Sequence, residues 1–207
     1  MEKVKARIAV LVSGNGSNLQ AILDAQADGI LTHGHVALVI SSNNTAYGLE
    51  RARLAGIPTA VVRSRDFSSR DDFDNALSAV IDDHRIDLIV LAGYMSILSE
   101  GFVHRYRRRI INIHPSLIPA FAGEGFYGLK VHEAALAAGV KVSGATVHYV
   151  NEVCDGGEIL EQQTVRVLPT DSPQDLQQRV LTQVEHVIYP RVIDQLSKEI
   201  VGNHHDS

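Results

Sequence analysis

A single cysteine, Cys154, stands in a chain of 207 residues, and that scarcity excludes an intrachain disulfide. A fold without disulfides suits a reducing compartment. Basic residues are also in deficit: 19 Lys and Arg against 24 Asp and Glu leave a net charge of −5. This balance argues against a surface built for nucleic-acid phosphates. No apolar run approaches the ~20 residues that a membrane-spanning helix needs. The opening stretch MEKVKARIAVLVSG resembles a signal peptide, with basic residues before an apolar run. That run, Ile8 to Val12, is too short for an h-region and leads directly into glycines. It reads as a buried first strand, and the expected location is the cytoplasm. The histidines lack compact metal-ligand spacing, so no metal is expected.

What is present is an ordinary globular composition, 45% hydrophobic and 21% charged. Short apolar runs predict strands at Arg7–Val12, Val36–Ser41, Thr59–Val62, Leu88–Ala92, Ile110–Ile113, Ala145–Val150 and Ile159–Val167. Several are continuous in Val, Ile and Leu, as parallel strands covered on both faces should be. Helical patterns lie between them, at Asn18–Gln26, Tyr47–Ala55, Ser69–His84 and Val131–Ala138. The alternation implies an α/β fold with a doubly wound, mostly parallel sheet of Rossmann-like type. The last two strands are separated by too little chain for a helical crossover, which predicts an antiparallel edge.

DSPQD starts a final helix, with Ser172 as N-cap, Pro173 at the first helical position and Asp175 closing a capping box. Leu176, Val180, Val184, Val187 and Ile188 form its apolar stripe, and Pro190 should kink or end it. The tail GNHHDS reads as disordered, with His204 and His205 on a frayed terminus rather than at a metal. There is no internal repeat or linker, so one domain covers 1–207. Its halves run over about 1–105 and 106–200, with a tail at about 201–207.

Gly14 and Gly16 lie between the first strand and a helix starting near Ser17 or Asn18. Glycines let the backbone turn sharply and approach a ligand closely, and the free N–H groups of a helix N-terminus attract an anion. A phosphate is the natural guest; a bare strand–helix turn is the bland alternative. Two further absences count against a dinucleotide. Leu19 stands where a third glycine of G-x-G-x-x-G would be, and VISSNN offers no acid to hold a ribose diol. The loop therefore reads as a monophosphate cradle in the first half of the chain.

Ligands of open α/β sheets sit outside the C-terminal strand ends. Gly14–Asn18, Gly93–Met95 and Asn112–His114 all lie there. Asn112 and His114, two apart on a strand, point the same way. Downstream, a strand carrying Thr146, His148 and Val150 leads to a turn with Asp155 before Gly156 and Gly157. A carboxylate beside His114 favours its imidazolium, and a cationic His114 with the Asn112 amide suits an oxyanion on a carbonyl. Residue types and order leave two readings open, an acid–base site or satisfied structural polars. Arg105–Arg109 reads as a solvated helix end. His148 reads as a hydrogen-bonded core residue, His132 as exposed or packed on its helix, and Cys154 as no nucleophile, since no base is assigned to it.

The fragments SGNGSNLQAI, LAGYMSILS, INIHPSLIPAF, GATVHYVNEVCDGG and VEHVIYP, in this order over nearly the whole chain, resemble the phosphoribosylglycinamide formyltransferases. That resemblance implies transfer of a formyl group from 10-formyltetrahydrofolate to the amine of glycinamide ribonucleotide, in purine biosynthesis. It implies a catalytic trio at Asn112, His114 and Asp155. Ribonucleotide contacts would fall on Gly16, Ser17, Asn18 and Glu185. Folate contacts would fall on Arg70, Met95, Ser96, Ile97, Leu98, Asn112, Asn151 and Asp155. Neither metal nor ATP has a role in that chemistry. The implied partners are these two small molecules, with no nucleic acid or membrane, and the implied state is monomer or homodimer. This chain departs from the family pattern at Ser96, where Arg is frequent, at Cys154, where a larger apolar residue is usual, and in the loop AFAGEGFYGLKVHEA.

The same trio occurs in methionyl-tRNA formyltransferases and formyltetrahydrofolate hydrolases. The first would need an added C-terminal domain, where this chain ends after its final helix and is acidic overall. The second typically carries an N-terminal regulatory domain, where this chain begins its first strand at Arg7, and a hydrolase needs no phosphate cradle. A nicotinamide-dependent oxidoreductase is disfavoured by the glycine loop and by VISSNN. A non-catalytic nucleotide-binding module is countered by the intact trio.

Overall fold

A computed structural model describes residues 5–203. Seven strands form one sheet in the order β3-β2-β1-β4-β5-β6-β7. They are β1 (Ala6–Val12), β2 (Gly34–Ser41), β3 (Thr59–Val61), β4 (Leu88–Leu91), β5 (Ile110–His114), β6 (Val142–Tyr149) and β7 (Ile159–Arg166). The first five pair in parallel, and β5–β6 and β6–β7 pair antiparallel. The mostly parallel sheet and its antiparallel edge match the sequence expectation. The antiparallel part is one strand larger, because β6 already runs against β5.

Alternation along β1 divides the interior into two cores. Ile8, Val10 and Val12 face one core, with α1 (Ser17–Ala27) and α7 (His186–Asn203). Ala9 and Leu11 face the other, with α3 (Arg70–Asp83) and α4 (Glu100–Arg105). A strand covered on both faces has no position for a polar side chain, which is why its sequence reads as an unbroken apolar run. The remaining helices are α2 (Tyr47–Leu54), α5 (Leu129–Ala137) and α6 (Pro173–Val180). Among the described residues no helix is long and apolar enough to cross a membrane.

Helix starts follow their caps. Ser172 and Asp175 form the expected capping box on α6, and Ser69 caps α3 by accepting the Asp72 amide at 3.1 Å. Helix α4, capped by Ser99, escapes a periodicity reading because its 6 residues span too few turns.

The C-terminal run corrects three expectations. Pro190 does not end the helix; it lies inside α7, which continues to Asn203. A π-helical turn of 5 residues, Leu181–Glu185, opens the hydrogen-bond ladder just upstream. The buried ring of Pro190 forfeits one backbone bond, and burial of Ile193 and Leu196 carries the helix beyond it. Val187 is exposed rather than part of the apolar stripe, because the wide turn keeps Val180, Val184 and Ile188 in phase at a spacing of four. Residues 201–203 are helical rather than tail, and His204 and His205 lie outside the described residues.

Candidate active site

The C-terminal ends of β1, β4 and β5 open onto one edge of the sheet, and the loops there are tied together. Ser13 Oγ lies 2.6 Å from Ser42 Oγ and accepts the Met95 amide at 2.8 Å. Tyr189, buried on α7, donates to the carbonyls of Leu91 and Ile111 at 2.8 and 3.3 Å. Glu185 is one turn earlier, so the same helix face carries it toward this edge.

The glycine loop has the cradle form. Gly16 caps α1 with φ of +73°, and a Cβ there would meet the Gly48 Cα at 2.9 Å. No side chain caps α1, so its first amides face outward. Asn18 Nδ2 donates to Glu185 Oε2 at 2.7 Å, which brings two expected ribonucleotide residues together beside Gly16 and Ser17. Burial raises Glu185 to about 7, against the opposing pull of the Asn18 amide. Among the described residues Asn18 Oδ1 is buried with no hydrogen-bond partner, an acceptor held open at the head of a helix.

The trio converges at the end of β5. Antiparallel register sets Asn112 opposite His148 and His114 opposite Thr146. Asp155 reaches them from the turn after β6, in a left-handed conformation with φ of +53°. That turn is packed tightly: a Cβ on Gly157 would meet the Tyr149 carbonyl oxygen at 1.7 Å. Asp155 Oδ2 lies 3.3 Å from His114 Nδ1 and accepts the Gly123 amide at 3.0 Å, and Oδ1 lies 3.6 Å from His148 Nε2. Burial opposes the charge on Asp155. The His148 contact, the Gly123 amide and the charges of both histidines outweigh it and hold the carboxyl below its ordinary value.

Proton positions follow from the acceptors. His114 Nε2 lies 2.9 Å from the Phe121 carbonyl, which can only accept, so Nε2 carries a proton. Nδ1 faces the Asp155 carboxylate, an acceptor for a proton at that nitrogen. His148 Nδ1 faces the Tyr149 carbonyl at 2.8 Å and is likewise protonated, and Nε2 lies between Asp155 Oδ1 at 3.6 Å and the Asn112 side-chain amide at 3.4 Å. His148 is thus part of the cluster rather than only a core residue. Its signal in the sequence is its place on the same face of β6 as Thr146, which pairs with His114. His132 is buried, and burial together with the nearby charge of His114 lowers it to about 4, so a neutral imidazole packs behind the site. Burial and the Asp155 charge push the Cys154 thiol up, away from a reactive thiolate.

The expected folate residues lie around the same opening. Met95 and Ile97 are 60% and 77% exposed, an apolar rim with nothing over it. Ser96 is half-buried, and Leu98 packs against the second core. Asn151 braces its own turn, accepting the Val153 amide at 3.0 Å and donating to the Gly156 carbonyl at 3.3 Å. Arg70 is exposed at the start of α3. A cleft of about 380 Å³ runs past Asp155, between Ile118–Gly123 and Cys154–Gly157. Among the described residues no group of three or more His, Cys, Asp or Glu is arranged to hold a metal ion.

Comparison with known proteins identifies the family. Residues 6–193 match the model of the family described as formyl transferase. A phosphoribosylglycinamide formyltransferase of Escherichia coli is 47% identical over 186 residues, covering 90% of this chain and 84% of that protein. The trifunctional purine biosynthetic protein adenosine-3 of Drosophila melanogaster is 46% identical over 193 residues. There the match covers 93% of this chain, which spans only 14% of the length of that relative. The crystal structure of glycinamide ribonucleotide transformylase 1 from Symbiobacterium toebii superposes with a TM-score of 0.87 at 44% identity, covering 94% of this chain and 89% of that one. The chain belongs to the formyl transferase family, among its phosphoribosylglycinamide formyltransferases.

Proposed function

We propose that this chain transfers a formyl group from 10-formyltetrahydrofolate to the amine of glycinamide ribonucleotide, as a step of purine biosynthesis in the cytoplasm. The observation that carries this reading is the convergence of Asn112, His114 and Asp155 at the end of β5, on the sheet edge that also bears the Gly14–Asn18 cradle. The cradle and Glu185 hold the ribonucleotide, phosphate on the amides of α1 and ribose toward the carboxylate. The exposed Met95–Leu98 rim and the Asn151–Asp155 turn receive the folate.

The amine attacks the formyl carbon, and negative charge develops on the formyl oxygen. Donors from Asn112 Nδ2 and His114 meet it, each of a kind that contributes about 10²–10³-fold. The 3.3 Å contact to Asp155 is long, which leaves the Nδ1 proton to be shared with that oxygen. Asp155 takes up the proton that the amine sheds, and a proton returns to the folate nitrogen as its bond to the formyl carbon breaks. Holding both substrates on one edge supplies much of the remaining acceleration.

The test is a coupled assay with purified protein, both substrates and excess chelator. The reading expects formylated ribonucleotide at a rate the chelator leaves unchanged. Formate release without transfer would identify a hydrolase instead, and activity restored only by added metal would contradict the metal-free mechanism.

A further inference from the structure

The glycine loop does not stand on its own glycines; α2 grips it from behind. Arg51 Nε donates to the Asn15 carbonyl at 2.9 Å, and Arg51 Nη2 donates to Asn15 Oδ1 at 2.9 Å. The third nitrogen, Nη1, reaches Gln20 Oε1 at 2.9 Å on the second turn of α1. One residue away, the Gly48 amide donates to the Gly14 carbonyl at 3.1 Å. Gly48 is also the residue against which Gly16 packs, so close that a Cβ at Gly16 would meet its Cα at 2.9 Å. The Arg51 guanidinium is itself steadied over the Tyr47 ring, 4.9 Å from the centroid.

These contacts constrain the loop at Gly14, Asn15 and Gly16 and the helix at Gln20. The flanking amides of α1 can aim at an anion only while Gly16 keeps its left-handed turn. Asn15 is the residue that would let that turn relax, since it is exposed and bordered by glycine on both sides. We infer that Arg51 is a positioning residue for the phosphate cradle, acting by its two-point hold on Asn15 rather than by its charge. This inference rests on the assignment of Gly16–Asn18 to a phosphate. A guanidinium can bind a carbonyl and an amide oxygen side by side, whereas an ammonium is a point donor. Lysine at this place would keep the charge and lose the hold.

The experiment compares wild type with Arg51→Lys and Arg51→Gln, by calorimetric binding of ribose 5-phosphate and by steady-state kinetics. Both variants are expected to weaken ribose 5-phosphate binding and raise the ribonucleotide KM about tenfold. kcat and the folate KM should stay within about twofold. A lysine variant with wild-type affinity would overturn the inference, because charge alone would then suffice. Equal losses in kcat and in both KM values would also overturn it, as the mark of general structural damage. Should the Arg51 variants fail to fold, Asn15→Ala breaks the side-chain half of the hold from the other end. Unchanged sugar-phosphate affinity in that variant would overturn the inference, and a loss of about threefold or more would support it. Because calorimetry reads the cradle without turnover, wild-type protein that binds the sugar phosphate but forms no formylated ribonucleotide would count against the proposed reaction and leave the clamp standing.

Discussion

Asn112 and His148 face each other across β5 and β6, in antiparallel register, with 3.4 Å between the Asn112 amide nitrogen and His148 Nε2. The pair orients the Asn112 amide, because His148 Nδ1 is committed to the Tyr149 carbonyl and Nε2 is held between that amide and Asp155 Oδ1. The same ring is among the groups that hold Asp155 ionised.

Replacing His148 by Phe keeps the ring's bulk and removes both functions. Turnover is expected to fall about tenfold, from a loosened Asn112 donor. The Asp155 carboxyl should move up toward its ordinary value, so the acid limb of the pH–rate profile shifts to higher pH. The bare Tyr149 carbonyl should cost about 1–3 kcal/mol of stability. Denaturant unfolding and a pH profile of kcat check both parts; a wild-type acid limb would contradict the coupling to Asp155.

Gly16→Val tests the cradle. Its β-branched side chain would have to adopt a φ of +73° with its Cβ 2.9 Å from the Gly48 Cα. The expected outcome is a folded protein with a ribonucleotide KM raised more than the folate KM. Calorimetry with the ribonucleotide decides the matter, and unchanged binding in a folded variant would contradict the assignment.

Glu185 predicts a stability that depends on pH. Burial raises it from 4.5 to about 7. Between those values the folded protein keeps a proton that the unfolded chain has lost, so stability falls as pH rises through the window. Above about 7 the penalty is complete, on the order of 3 kcal/mol. Glu185→Gln removes it. That variant should be more stable than wild type at about pH 8, with the difference fading toward about pH 5, while binding the ribonucleotide about tenfold more weakly. Denaturant midpoints across this range test the claim, and parallel curves for the two proteins would contradict it.

The elements were legible in the sequence where one interaction dominates. β1 and β4 are covered on both faces, and their continuous apolar runs say so. Ser172 and Asp175 announce their helix through local capping, which needs no tertiary partner. Pro190 misleads because its effect depends on the π-helical turn before it, a feature without a residue signature. Val187 misleads for the same reason, since the turn resets the phase of the stripe. In the site, Asn112 and His114 were visible as neighbours on one face of a strand. That Asp155 meets them, and that His148 does too, depends on the register of β5 against β6, which pairs residues 36 positions apart in the chain. The Phe121 carbonyl and the Gly123 amide were invisible altogether, because backbone groups of a loop leave no mark on side-chain pattern.

Single-turnover formyl transfer by Asp155→Asn is the most direct test of the role given to the trio. An amide is close in size to the carboxylate and keeps an oxygen for the Gly123 amide, but it carries no charge to set against His114 and accepts no proton from the amine. The ribonucleotide contacts at Gly16–Asn18 and Glu185 lie on other elements, so its dissociation constant should remain close to that of wild type. The account predicts a folded variant whose chemical step is slower by about 10²–10⁴-fold with ribonucleotide binding intact. A folded variant that transfers formyl at nearly the wild-type rate would contradict it.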